Sequence, residues 1–243
     1  MLKIKNQTDN SADLYISGTI TDDEDGNWIK EWTGSADGYP FPAELRRQLD
    51  ELKGKDLTIY INSYGGSIPA GMAMAHMISR HKGATKAIVD GYCCSIATQI
   101  FFSAEKCLMY PNSWLMIHKP WTSLAGDSNE LRKAAEVLDT LQKGLEDTYL
   151  KRVQENVSSD DVHKMVEDET WLTGTEAAEK FKIELLESKP MMNCAGSREK
   201  LKAMGAKKIP QSLKFLSTEK DNATQEDWSA IEIALALSKG AIL

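Results

Sequence analysis

Two β-branched runs, each ending in small residues and leading into a small-residue helix, constrain this chain more than any other feature. The first lies at residues 59–67 (Ile-Tyr-Ile-Asn-Ser-Tyr-Gly-Gly-Ser) and is broken by Gly65 and Gly66. The second runs from Lys86 to Asp90 and continues as Gly-Tyr-Cys-Cys-Ser-Ile-Ala through Ser95 and Ala97. A strand that passes into a helix through a turn stripped of bulk is the unit of a wound sheet. Strands alternating with helices predict an α/β fold with a largely parallel sheet.

The rest of the chain fits that alternation. Residues 12–20 alternate as a first strand, and Leu45, Leu49 and Leu52 share one face of a helix over 43–52. A helix is expected from Ser67, with Pro69 tolerated in its first turn, and another near Ser95. Residues 107–110 and 113–117 predict two short strands. Asp127 with Glu130 makes a capping box for a helix of about six turns, along which Leu131, Leu138, Leu141, Leu145 and Tyr149 recur. Further helices are expected at 158–165 and from a cap at Thr173 or Thr175, then a strand at 183–186. Residues 21–38, acidic and Gly-rich, predict an irregular excursion whose Trp28 and Trp32 pack on the surface or on a neighbouring subunit. Residues 1–189 are expected to form one domain. Residues 190–243, polar and lysine-rich at first, are expected to be a flexible linker and a short terminal helix carrying Trp228 and Ile231. No internal repeat is present.

Composition narrows the class. The chain has 243 residues, 42% hydrophobic and 27% charged, enough for one sizeable core. A net charge of -7 argues against nucleic acid as the main partner. No apolar run approaches the roughly 20 residues of a membrane-spanning helix, and residues 1–7 carry no apolar core of a secretory leader. The four cysteines, Cys93, Cys94, Cys107 and Cys194, match no disulfide framework or zinc spacing, so reduced thiols and a cytoplasmic location are expected.

The chemistry gathers at Ser95 and His118. A serine hydroxyl needs a base, the base needs an orienting group, and the developing oxyanion needs amides aimed at it. Ser95 sits at a strand-to-helix turn among small residues, and Gly65-Gly66 lets backbone approach a ligand closely. His118 ends the apolar Leu115-Met116-Ile117 run, where sites gather in wound sheets. His76, His81 and His163 are expected at the surface. On residue chemistry alone, a serine in such a turn is more often a helix cap, and a strand-end histidine more often a structural one.

Three segments resemble those of the Clp protease proteolytic subunit (ClpP) family. They are Ile61-Asn62-Ser63-Tyr64-Gly65-Gly66 with Ala70-Gly71-Met72-Ala73, then Gly91-Tyr92-Cys93-Cys94-Ser95-Ile96-Ala97, then the run from Tyr110 to Pro120. They occur in the family's order, and the likeness covers most of residues 12–188. Tyr64, Cys93, Cys94 and Ala97 depart from the usual family residues. The resemblance implies crotonase-like repeated β-β-α units with a protruding handle helix, assembled as a ring, heptamer or double heptamer. It implies a serine endopeptidase with Ser95 as nucleophile, His118 as base, and the amides of Gly66 and Ile96 as oxyanion hole. The aligned acid is Glu169, with Asp168 as the alternative. No metal or organic cofactor is implied. Implied partners are a polypeptide substrate and an AAA+ unfoldase, with no membrane. The tryptophan-bearing insertion and the tail resemble the ClpP-related head-maturation proteases of bacteriophages, which implies scaffold or capsid substrates and the host cytoplasm or prohead. The same fold also hosts acyl-CoA enzymes and catalytically inactive structural homologues.

Overall fold

A computed structural model describes residues 2–187, 202 and 207–209. Its backbone is a mixed α/β arrangement around one sheet of eight strands among the described residues. Strand β1 (Leu2–Lys5) runs antiparallel to β2 (Ser11–Ile20), which lies parallel to β3 (Asp56–Gly66). Strand β4 (Thr85–Cys94) is parallel to β3 and forks the sheet. Its first half, Lys86–Val89, pairs with β5 (Lys106–Met109). Its second half, Tyr92–Cys94, pairs with β6 (Trp114–Ile117). Strand β7 (Thr170–Thr173) is antiparallel to β6, and β8 (Glu184–Leu185) closes the other branch against β5.

The helices follow from their caps. Helix α1 (Asp23–Thr33) begins where the Asp22 carboxylate accepts from the Asp25 amide at 2.9 Å, and stops at the left-handed Gly34. Helix α2 (Pro42–Glu51) starts with proline in its first turn, and α3 (Ile68–Ser79) is capped by Ser67. The short α4 (Ala97–Phe102) follows Ser95, and α5 (Ser128–Leu150) carries the Asp127–Glu130 capping box. Helix α6 (Ser159–Glu167) is capped by Ser158, and α7 (Gly174–Lys180) by Thr173, which accepts from the Glu176 amide. Thr173, rather than Thr175, is therefore the cap.

Two expectations change. The 21–38 excursion contains a helix, α1, because Asp22 and the acidic first turn of Asp23, Glu24 and Asp25 outweigh the glycine within it. Trp28 and Trp32 stack on each other at 5.2 Å between ring centroids and stay exposed. Strands β1 and β7 were not expected; each is four residues long and exists by pairing with a neighbour. The tail reading falls mostly outside the described residues, as do Cys194 and the helix expected around Trp228. Residue 202 and residues 207–209 are described, and the last of these, Ile209, lies against the sheet's smaller cluster.

Alternation along β3 and β4 buries Ile59, Ile61, Ala87 and Val89 completely against α3 and α4. The opposite face carries a smaller cluster of Tyr64, Tyr92, Cys94 and Met116, bordered by Trp114 and Trp171. At the far end, Phe181 lies 5.1 Å from Phe102 and 6.2 Å from Tyr149, measured between rings. Arg152 donates to the carbonyls of Phe102, Ala104 and Glu105, capping the end of α4. Only the C-terminal half of α5 is held this way: Gln142, Leu145 and Tyr149 are buried, while Leu131 and Leu141 are exposed. No helix among the described residues is long and apolar enough to cross a membrane.

Phe181 is fully buried, so Phe181→Ala should cost about 3–5 kcal/mol through lost transfer energy and the cavity left behind. The expected fall in melting temperature is roughly 10 °C or more by calorimetry. Phe181→Leu should lose much less.

Candidate active site

The fork in β4 assembles the site. Ser95 follows the last residue of β4 and adopts a left-handed backbone, φ 56°. That conformation costs a non-glycine residue roughly 1–2 kcal/mol and persists only where neighbours impose it. Here the Ser95 amide donates to the Met116 carbonyl at 2.8 Å, tying the turn to β6. From the other side, the Thr98 hydroxyl donates to the Ser95 carbonyl at 2.6 Å. Tyr149 in turn supports Thr98, their hydroxyl oxygens 2.7 Å apart. Burial pushes the Tyr149 phenol up to about 12, so it remains a donor in this relay.

The glycine segment runs directly beside this turn. A Cβ at Gly65 would lie 2.7 Å from the Ser95 Cβ, 2.8 Å from the Cys94 carbonyl oxygen and 3.2 Å from the Ile96 nitrogen. Gly65 therefore has to lack a side chain for β3 to approach Ser95. Gly66 is as restricted on its other side: φ is 144°, and a Cβ would meet the Ile20 carbonyl oxygen at 2.0 Å. The end of β3 is thus wedged between β2 and the Ser95 turn.

His118 follows β6, and its Nε2 lies 2.8 Å from the Ser95 Oγ. With the ring proton on Nδ1, Nε2 accepts from the serine hydroxyl, the arrangement a base needs. The ring is nearly buried, and burial lowers its pKa, against an opposing pull from the Glu169 carboxylate; the Lys207 ammonium lowers it further. A neutral imidazole near pH 7 follows. The other histidines are elsewhere: His76 is exposed, His81 bonds the Lys55 carbonyl, and His163 pairs with Glu146.

The two candidate acids separate by burial. The last pair of the β6–β7 ladder is Ile117 with Thr170, which brings their neighbours His118 and Glu169 to the same end of it, and the Glu169 carboxylate acts on the imidazole. Glu169 is 8% exposed, with φ 51°. Asp168 is exposed and caps α6, with the Lys208 Nζ 3.6 Å from its carboxylate. Glu169 is the acid beside the imidazole. Among the described residues no hydrogen bond joins it to His118. Its carboxylate instead accepts from the Trp171 indole at 3.3 Å, from the Lys207 amide at 2.6 and 2.7 Å, and from the Lys208 amide at 2.7 Å. The sequence reading missed this tail contact, and also the Thr98–Tyr149 relay.

The family model described as Clp protease matches residues 45–181, more than half of the chain. The chain belongs to the Clp protease family. The match takes in Gly66, Ser95, Ile96, His118 and Glu169; it leaves out α1 and residues 207–209. An ATP-dependent Clp protease proteolytic subunit of Streptococcus mutans serotype c is 32% identical over 126 residues. That stretch is 50% of this chain and 63% of the relative, so the chain spans less than two thirds of the length of that family member. The mixed α/β sheet is consistent with the family. Among the described residues, no group of three or more His, Cys, Asp or Glu side chains is placed to hold a metal ion.

The opposing influences on His118 give a direct check. Glu169→Gln removes the charge that holds the imidazole pKa up, so the His118 midpoint should fall further below 6.5. Histidine resonances followed by NMR across pH 4–8, the usual range around a histidine midpoint, measure it.

Proposed function

We propose that this chain is a serine endopeptidase that cleaves peptide bonds through an acyl-enzyme. The observation that carries the reading is the 2.8 Å contact between Ser95 Oγ and His118 Nε2 beside the glycine segment. In the first step His118 Nε2 takes the hydroxyl proton as Ser95 Oγ attacks the scissile carbonyl. The amides of Gly66 and Ile96 hold the resulting oxyanion. His118 then gives the proton to the leaving amine, and water, activated by the same imidazole, releases the acyl group. Glu169 orients the ring and stabilises the imidazolium. A thioester-enolate chemistry on the same scaffold has no use for a serine bonded to a histidine, which favours the peptidase reading.

Family membership supports a ring of this chain, heptameric or doubly heptameric, of the crotonase-like β-β-α architecture. The exposed Leu131 and Leu141 on the free half of α5 suit the helix that would join subunits. Such an enclosure limits substrates to extended polypeptide, supplied in some family members by an AAA+ unfoldase. Helix α1 and the tail, both outside the family match, favour a phage head-maturation role with scaffold or capsid protein as substrate, in host cytoplasm or prohead.

A fluorophosphonate probe should label Ser95 in the assembled protein, and Ser95→Ala or His118→Ala should abolish labelling and cut peptide hydrolysis by about 10⁴–10⁶-fold. Absence of labelling in the intact oligomer sinks the reading. Because burial depresses the His118 pKa, the base is deprotonated at neutral pH, and kcat/KM should stay flat there. Activity should fall with acid only below pH 6.5, in a profile of kcat/KM against pH. Leu131→Asp with Leu141→Asp should lower the assembled mass by light scattering while leaving the subunit folded.

A further inference from the structure

The Glu169 carboxylate is occupied by the chain's own tail. A carboxylate offers about four lone-pair sites. Oε1 accepts from the Trp171 indole and from the amides of Lys207 and Lys208, and Oε2 accepts from the Lys207 amide at 2.6 Å. Two consecutive amides converging on one carboxylate form a built anion site, and charge-assisted bonds of this kind are the strong ones. The segment is held at two further points. Lys208 Nζ donates to the Asp168 carbonyl at 2.8 Å and lies 3.6 Å from its carboxylate. Ile209 packs on the aromatic face formed by Tyr64, Tyr92, Cys94 and Met116, which carries the residue just before Ser95.

We propose that residues 207–209 are an inhibitory latch, bound in cis, that withholds Glu169 from His118 until the segment is displaced. The inference rests on the reading of Ser95, His118 and Glu169 as one catalytic unit. An orienting acid has to accept the Nδ1–H of its imidazole; here two tail amides make three of the carboxylate's four hydrogen bonds among the described residues, and the ring makes none of them. The latch also sets the Lys207 ammonium where it opposes a positive imidazole, the species formed as Ser95 attacks. Among the described residues, neighbouring charges pair with each other: Lys119 with Glu167 at 2.8 Å, and Lys208 with Asp168 at 3.6 Å. Lys207 and Glu169 are thus the two charges that act on His118 with opposite sign; the latch carries the first and bonds the carboxylate of the second. The ligand class follows from the contacts: an extended peptide with a lysine over Asp168 and an aliphatic residue on the aromatic face. The tail occupies this strip in the chain, and a polypeptide of that pattern would compete for it.

Two full-length variants test the latch: Ile209→Asp, which removes the apolar anchor, and Lys208→Pro, which deletes one of the amide donors. The first readout is the His118 midpoint by NMR in a Ser95→Ala background, which does not depend on activity. Both variants should raise it, because the Lys207 charge leaves, Glu169 becomes free to accept from the ring, and water reaches the imidazole. The second readout is the rate of fluorophosphonate labelling with Ser95 intact, expected to rise roughly tenfold to a hundredfold. An unmoved midpoint in both variants, or slower labelling, overturns the latch. A raised midpoint with no labelling in any form upholds the contact and removes the nucleophile reading beneath it.

Discussion

Everything at the site depends on β4 changing partners part-way along its length. Lys86–Val89 bonds β5, and Tyr92–Cys94 bonds β6. A strand can hold two neighbours on one edge only if the second begins where the first has left, and Asp90-Gly91 marks that hand-over. The second branch places the end of β6 beside the turn that follows β4, and the Ser95 amide secures it on the Met116 carbonyl. His118 is then at bonding distance from Ser95. The pairing of β6 with β7 brings Glu169 to the same end of the ladder as His118.

The turn itself is strained, and its supports come from three directions. Met116 holds the Ser95 amide, Thr98 holds its carbonyl with Tyr149 behind it, and the glycine segment fills the space in front. Left-handed backbone at Ser95 and at Glu169 marks two sites where packing overrides local preference. Such overrides are expected where a reaction needs groups in positions that an unstrained chain would avoid. The anchored half of α5 belongs to this scaffold through Tyr149, whereas the free half leaves Leu131 and Leu141 in solvent.

Local signals were legible where one residue and its near neighbours decide the outcome. The Asp127–Glu130 box, the Ser67 cap and the alternation of β3 and β4 are all short-range devices, and each element appears where its signal lies. Helix α1 was obscured because Gly26 reads as a helix breaker. In the fold it is the residue that leaves room for the Phe41 ring, which a Cβ would meet at 2.4 Å. Strand β7 carried too few residues to declare itself without β6 beside it.

The sequence alone determined that serine and histidine would follow strands of a wound sheet and that paired glycines would end one, because strand, turn and cap preferences act over a few residues. The resemblance offered Glu169 or Asp168 as the acid. Only the tertiary structure set Glu169 buried near the imidazole and Asp168 in solvent, since burial and the β6–β7 register are properties of segments about 50 residues apart. The hold of Lys207 and Lys208 on Glu169 was beyond any sequence signal: backbone amides make it, and every residue but proline has one.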